Sequence, residues 1–445
     1  MDLEEGVELI FEGLKKKGLD QFEVYAQKRN GLTVEIKEGE VDFLDTSQGV
    51  GLAIRALAKG RLGFAYLTEL KPETLAQAVE RATSATAHTS SDPFLGFPKG
   101  GLPVPEVEGI YDVEMSALDV GEKIERARIL ERSALSSDER VRKVRKASYS
   151  EADYQVIIAN SQGVKTSYRG TICSAGVMAL ASDGADSQMG WDFDFSHHYR
   201  GLDVEGVGRR AACNALRLLG ARGAETKRMP ILLENRVAAE FLSLLASSFL
   251  AEAVQKGKSR LKGKVGEGVF SPLVTIIDDG LYPGGLGTAP VDGEGTPHRR
   301  NLLVERGLLT GFLYDSYCAN KESISSTGNG VRADFKTPPR VGITNLYMER
   351  GTASLDELIR EVGDGVLITD VLGMHTADAI SGDFSVGCSG LVITGGDIQH
   401  PIKGAAISGN ILDLFKGVAG VGDDLRFFGP VGSPSLLIRE MTVSG

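Results

Sequence analysis

From Asn235 to Gln255 the chain runs without one glycine or proline, in a sequence that holds 56 glycines. Val237, Phe241, Leu244 and Leu245 recur there at helical spacing, and Glu240, Ser243 and Ser247 form a narrower polar stripe. Asn235 can cap the start by accepting a bond from a free backbone N–H, and Gly257 can end the run. This predicts a central helix over 236–255. Apolar or small residues cover most of its circumference, so the helix must be buried inside a core that the rest of the chain supplies. A polar stripe on a buried helix is a natural place for chemistry, and this one carries serines and a glutamate but no histidine.

A chain of 445 residues is long for one core and suits two large domains. Before the central helix, stretches such as Gln21–Gln27, Gly31–Lys37, Gly49–Leu57, Arg61–Thr68, Val141–Ser150, Tyr154–Asn160, Val164–Arg169 and Thr171–Ala181 alternate as half-buried strands do. Helical patterns cover 3–18, 70–84, 116–135 and 205–220, with Pro72 in a first turn, where a missing N–H does no harm. The proline-rich run 92–105 reads as a surface loop, and 220–230 as a hinge. After the central helix, glycine-punctuated short apolar runs describe a β-rich, barrel-like or sandwich-like region, interrupted by one helix at 355–362 with Ser354 as its cap. The expected fold class is therefore α+β. It comprises an N-terminal domain (1–222) of α/β type with a mostly antiparallel sheet, and a β-rich C-terminal domain (223–445) containing the central helix.

Lys+Arg 49 against Asp+Glu 60 gives a net charge of -11, which weighs against nucleic acid or an anionic membrane as main partner. The basic run Arg140–Lys146 fits one solvated face of a strand. No apolar run approaches the ~20 residues that span a bilayer. The acidic start Met1–Glu5 lacks the pattern of a signal peptide, and the four cysteines have no short pairing. A reduced cytoplasmic protein is expected.

Lys256–Ser259 imitates the end of a P-loop, but Glu252 stands where the motif needs glycine, and the run closes a helix instead of opening one. Gly284–Gly287 lacks a surrounding βαβ unit and reads as turns. His197 and His198 are adjacent, so from a strand they point apart and cannot share a metal; both are expected on the surface. The stretch Gly373–Ser385 is the most polar concentration of the second half. His375, Asp378 and Asp383 could form an acid–base or ligand cluster, or the aspartates could satisfy their own loop.

Arg61–Tyr66, Gly190–Asp194, Thr275–Gly280, Asp292–Pro297, Ser326–Arg332 and Pro401–Gly404 together resemble the TldD/PmbA family, also described as modulators of DNA gyrase and peptide-maturation proteins. Within it the chain is similar to the PmbA/TldE branch. The resemblance covers nearly the whole length and implies paired subunits, a heterodimer with a TldD-like paralogue or a homodimer, in cytoplasmic processing of unfolded peptides. TldD subunits carry His-Glu-x-x-x-His on the counterpart of the central helix and a cysteine ligand near the C-terminus. Here the corresponding stretches, Leu244–Gly257 and Gly422–Pro430, offer neither imidazole nor thiol, and hydroxyls such as Ser247 and Ser248 are poor zinc ligands. The expectation is therefore no catalytic residue, no metal site and no cofactor in this chain, with zinc only in the TldD-like partner.

Substrate-cleft candidates are Asn329 and Arg332, from the Ser326–Arg332 motif, together with His375, Asp378 and Asp383. The favoured reading is a subunit of a metallopeptidase complex, non-catalytic alone. The alternative is a hydrolase acting alone through His375, Asp378 and Asp383. Neither a nucleic-acid nor a membrane partner is expected.

Overall fold

A computed structural model describes residues 1–445. The chain opens with helix α1 (Leu3–Lys15), held by a capping box between Asp2 and Glu5, with Leu3, Val7, Ile10 and Leu14 turned inward. Strands β1 (Gln21–Lys37), β2 (Glu40–Ala58) and β3 (Arg61–Leu67) follow, joined by tight turns at Glu38–Gly39 and Lys59–Gly60 whose φ angles are all positive. Helix α2 (Pro72–Ala85) carries Pro72 at its first turn. After the loop come α3 (Val120–Leu135), β4 (Val141–Asn160), β5 (Lys165–Ser182), β6 (Ser187–Ser196) and α4 (Val204–Leu216).

The six strands form one antiparallel sheet in the order β3-β2-β1-β4-β5-β6. Both helix pairs cover the same face. Val24, Ala26, Leu32, Val34 and Ile36 share one side of β1 and divide between the two helix-packed cores. The strands are longer than the sequence pattern suggests: the pieces expected on either side of residues 28–30, 151–153 and 170 are continuous. Gly170 does not break its strand. It makes room for the Tyr154 ring, which a Cβ would meet at 2.3 Å. The basic run 140–146 is a strand face, as expected, but its buried residues Val141, Val144 and Ala147 recur every third position, because two register shifts interrupt the pleat there.

After a connecting stretch, β7 (Lys227–Leu233) enters the C-terminal region. It lies in a sheet ordered 397–410, 383–394, 365–372, β7, 436–444, 418–421, which an extra pairing between 397–410 and 436–444 closes into a five-stranded barrel. A second six-stranded sheet holds 276–279, 300–305 and 346–348 at its centre. The helix at Leu355–Val362 is capped by Ser354 as expected.

The predicted central helix is shorter than the sequence pattern. Helix α5 spans Asn235–Ala246, a 3₁₀ turn follows at Ser247–Phe249, Leu250 is extended, and α6 covers Ala251–Gln255. No glycine or proline causes the break. Leu313 captures the backbone on both sides, accepting from Ala251 N at 2.9 Å and donating to Phe249 O at 2.8 Å, so tertiary hydrogen bonds override local propensity. Asn235 is not the cap either. Glu234 occupies that position with its carboxylate committed to Arg217 at 2.6 and 2.7 Å, and Ser435 Oγ accepts from Asn235 N at 3.1 Å. Burial of α5 is as expected, with Phe241, Leu242 and Leu245 fully enclosed in the largest core.

Candidate functional site

The face of the N-terminal sheet that carries no helix meets the glycine-rich loops of the C-terminal region, and charged side chains are buried along that seam. Glu23 and Tyr25 project from β1 and Arg55 from β2, all on the helix-free side. Arg55 bonds Glu23 (Nε to Oε1, 2.9 Å) and reaches Glu294 at 3.3 Å, while Arg332 also bonds Glu23. The four side chains are between 1% and 8% exposed, so these charges depend on one another and not on water. Phe97 stacks on the Arg55 guanidinium and Tyr25 on that of Arg332.

Burial alone would raise the Glu23 carboxyl, but Arg55 and Arg332 outweigh it and hold it below its ordinary value. The same burial pushes Asp292 up to about 8, with the Glu294 charge adding to it, although the backbone N–H groups of Glu294, Thr296 and Gly330 all donate to Asp292. Glu294 is raised too, by burial against the opposing pull of Arg55. Of these two neighbouring carboxyls, Asp292 is the one that favours retaining its proton near neutrality, while Glu294 faces the Arg55 guanidinium.

Beside this network lies a cavity of about 200 Å³ between the domains. Tyr25, Tyr154 and Tyr168, from three adjacent strands, form one wall; Asp292, His298 and Arg332 contribute to the other. Burial lowers His298 to about 4, so its ring is neutral, and its Nδ1 has no hydrogen-bond partner. The cavity offers phenols, a guanidinium and backbone amides.

The sequence-selected residues fall in two places. Arg332 lines the cavity. Asn329, behind it, is 0% exposed with its amide fully engaged: Nδ2 donates to Asp278 at 2.8 Å and to Gly342 O at 3.0 Å, and Oδ1 accepts from Thr327 and Asn301. His375, Asp378 and Asp383 lie elsewhere, all exposed: the first two on a loop and Asp383 at the start of the strand 383–394. Asp378 accepts from Ile380 N and Ser381 N, and Asp383 accepts from Asn410 Nδ2 at 2.8 Å; these bonds hold both carboxyls below their ordinary values. No hydrogen bond joins His375 to either.

Sequence reasoning missed Glu23 and Arg55, which look like solvent-side residues of alternating strands, and no signal in the sequence marks them otherwise. It also misplaced His197, expected on the surface but 2% exposed, its ring between Thr171 O at 2.6 Å and Gly285 O at 2.9 Å, one carbonyl from each domain. His198 is exposed, as expected.

On α5, Arg236 stacks over Trp191 and bonds Thr369 O and Asp370, each at 2.9 Å. Partial burial raises Glu240, one turn on, to about 7; Arg236 opposes the shift and Asp370 adds to it. These residues do not fit a zinc ion. The helix has no imidazole, its one carboxylate neighbours a guanidinium, and no group of three His, Cys, Asp or Glu side chains is placed to hold a metal ion.

Three family models match in succession: PmbA/TldA metallopeptidase domain 1 over 22–86, the central domain over 114–219 and the C-terminal domain over 226–445. A crystal structure from Thermotoga maritima, described as a modulator of a DNA gyrase, is 30% identical with a TM-score of 0.92, all of both chains being covered. The chain belongs to the PmbA/TldD metallopeptidase family. Two curated family members match nearly as fully. The metalloprotease PmbA of Escherichia coli O157:H7 is 27% identical, covering 100% of this chain and 96% of its own. A metalloprotease TldD homolog of Haemophilus influenzae is 27% identical, covering 98% and 95%. Family domains 1 and 2 share the single N-terminal sheet here, since β1 pairs with both β2 and β4. No helix is long and apolar enough to cross a membrane.

Proposed function

We propose that this chain is the non-catalytic, PmbA/TldE-like subunit of a two-chain metallopeptidase that processes unfolded peptides in the cytoplasm, with the zinc held by a TldD-like partner. The observation that carries this reading is the donor set on α5. The helix keeps its place at the centre of the largest core, yet its polar positions are Asn235, Arg236, Glu240 and Ser243, a single carboxylate beside a guanidinium with no imidazole or thiolate to complete a zinc site. Near-full-length likeness to proteins named for both PmbA and TldD supports a shared fold on which a closely matched pair of subunits can be built. The interdomain cavity, with its unengaged His298 nitrogen and tyrosine wall, suits a contact with peptide amides instead of bond cleavage.

The test is a metal analysis and a peptide-cleavage assay on the pure chain, repeated after co-expression with a TldD-like paralogue. Substoichiometric metal and no cleavage alone, with cleavage in the mixture, are expected. Stoichiometric zinc or metal-dependent cleavage by the pure chain would refute the reading.

A further inference from the structure

The sheet of the N-terminal domain ends in an edge that nothing in this chain covers. Strand β3 pairs with β2 only over Leu52–Ala58, so Glu40–Gly51 has β1 on one side and no strand on the other. All ten residues from Glu40 to Gly49 are exposed, including Val41 (39%), Phe43 (48%) and Leu44 (43%). The free stretch stops where the other domain arrives, for a Cβ on Gly51 would meet the Phe335 ring at 2.2 Å.

An unpaired edge of this length invites another strand unless something blunts it. One device is present: the register shift between Glu35 and Ile36 makes Asp42 an extra residue, a bulge next to the turn. Beyond it, Phe43–Gly49 pairs regularly with β1. The turn that leads into the edge is anchored to the domain. Glu131 of α3, 3% exposed, accepts from the N–H groups of Glu38 and Gly39 at 2.8 Å each, and Arg128 Nε donates to Gly39 O at 3.0 Å. A strand docking here would add to a preformed template and meet little ordering cost.

Charge selects the occupant. Glu40, Asp42 and Asp45 have no ion-pair partner, and no basic residue lies between Glu38 and Gly49. Two copies pairing edge to edge would bring carboxylates together, which is unfavourable. We propose that the Phe43–Gly49 edge of β2 is a strand-addition site for an extended polypeptide segment carrying lysine or arginine at alternate positions. Leu44, on the helix side beside buried Val34, would give its apolar residues a surface continuous with the core. The site stands independently of the metallopeptidase reading.

The test uses the full chain with two fluorescent octapeptides, one alternating lysine with valine and one alternating glutamate with valine. In low salt the cationic peptide should bind at least about tenfold more tightly, and added salt should weaken it. Amide exchange should slow at 43–49 on binding. The double substitution Asp42→Lys, Asp45→Lys, at exposed positions without ion-pair partners, should reverse the preference while leaving circular dichroism unchanged. Equal affinity for both peptides, protection confined to other segments, or protection of 43–49 through self-association of the chain would each overturn the proposal.

Discussion

Two stretches of this chain place acidic residues beside a glycine, Asp292–Thr296 and Asp378–Asp383, and both begin the same way. Asp292 accepts from the N–H groups two and four residues on, and Asp378 from those two and three residues on. They part company in what arrives from elsewhere. Gly330 N adds a third donor to Asp292, Arg55 crosses from the other domain to Glu294, and the whole turn is enclosed. What reaches the 378–383 stretch from elsewhere is Asn410, the Ile411 N–H on Gly382 O and an arginine on a backbone carbonyl; no charged side chain bonds its aspartates, which stay exposed. Turn chemistry is local and identical in kind; burial is imposed by the partner domain, and burial decides which carboxyls become energetically consequential.

The largest effect expected from this contrast is at Arg55. Arg55→Met would leave Glu23 and Glu294 buried with Arg332 as the remaining guanidinium, and removing one partner of a buried ion network costs about 3–5 kcal/mol. Guanidinium denaturation followed by near-UV circular dichroism would measure it, and calorimetry should show the two domains unfolding separately. A loss below about 1 kcal/mol would place this seam with surface ion pairs and erase the distinction.

The next effect is in the pH dependence. The Asp292 carboxyl is raised to about 8 in the folded protein against an ordinary 3.8. The folded state therefore binds the proton more tightly, so the stability from this group is fully present below about pH 4 and is lost as pH rises through 8. Asp292→Asn should flatten that decline between pH 5 and 8. It should also cost about 1 kcal/mol at low pH, because a single amide oxygen cannot accept all three N–H bonds. Parallel stability–pH curves for wild type and variant would show that Asp292 is ionised throughout.

How much of this was legible in the sequence follows the same division. Ser354 as a cap and Pro72 at a first turn are set by neighbours within a few residues, and the alternation of the N-terminal strands is local too; each is where the pattern put it. The central helix was legible as buried but not as broken, because its interruption at Leu250 depends on Leu313, distant in sequence. Arg332 was visible in a motif, whereas its partner Glu23 looks like any polar residue of an amphipathic strand. A charge whose mate lies more than 300 residues away carries no local trace.

The smallest effect belongs to the other stretch, and its sign runs the opposite way. Asp378 and Asp383 are held below their ordinary value by backbone and amide donors, so what they contribute is present above about pH 4 and lost as pH falls through the lowered values. In water such bonds exchange for solvent at little net gain, and surface substitutions away from caps and cores rarely matter. His375→Ala should accordingly leave the denaturant midpoint at pH 7 unchanged, and Asp378→Ala should lower it only slightly there, the small difference vanishing as pH falls through the Asp378 titration. A large loss for Asp378→Ala would mean that the loop is braced by something docked upon it, and amide exchange at 378–383, slow instead of fast, would reveal that cover directly.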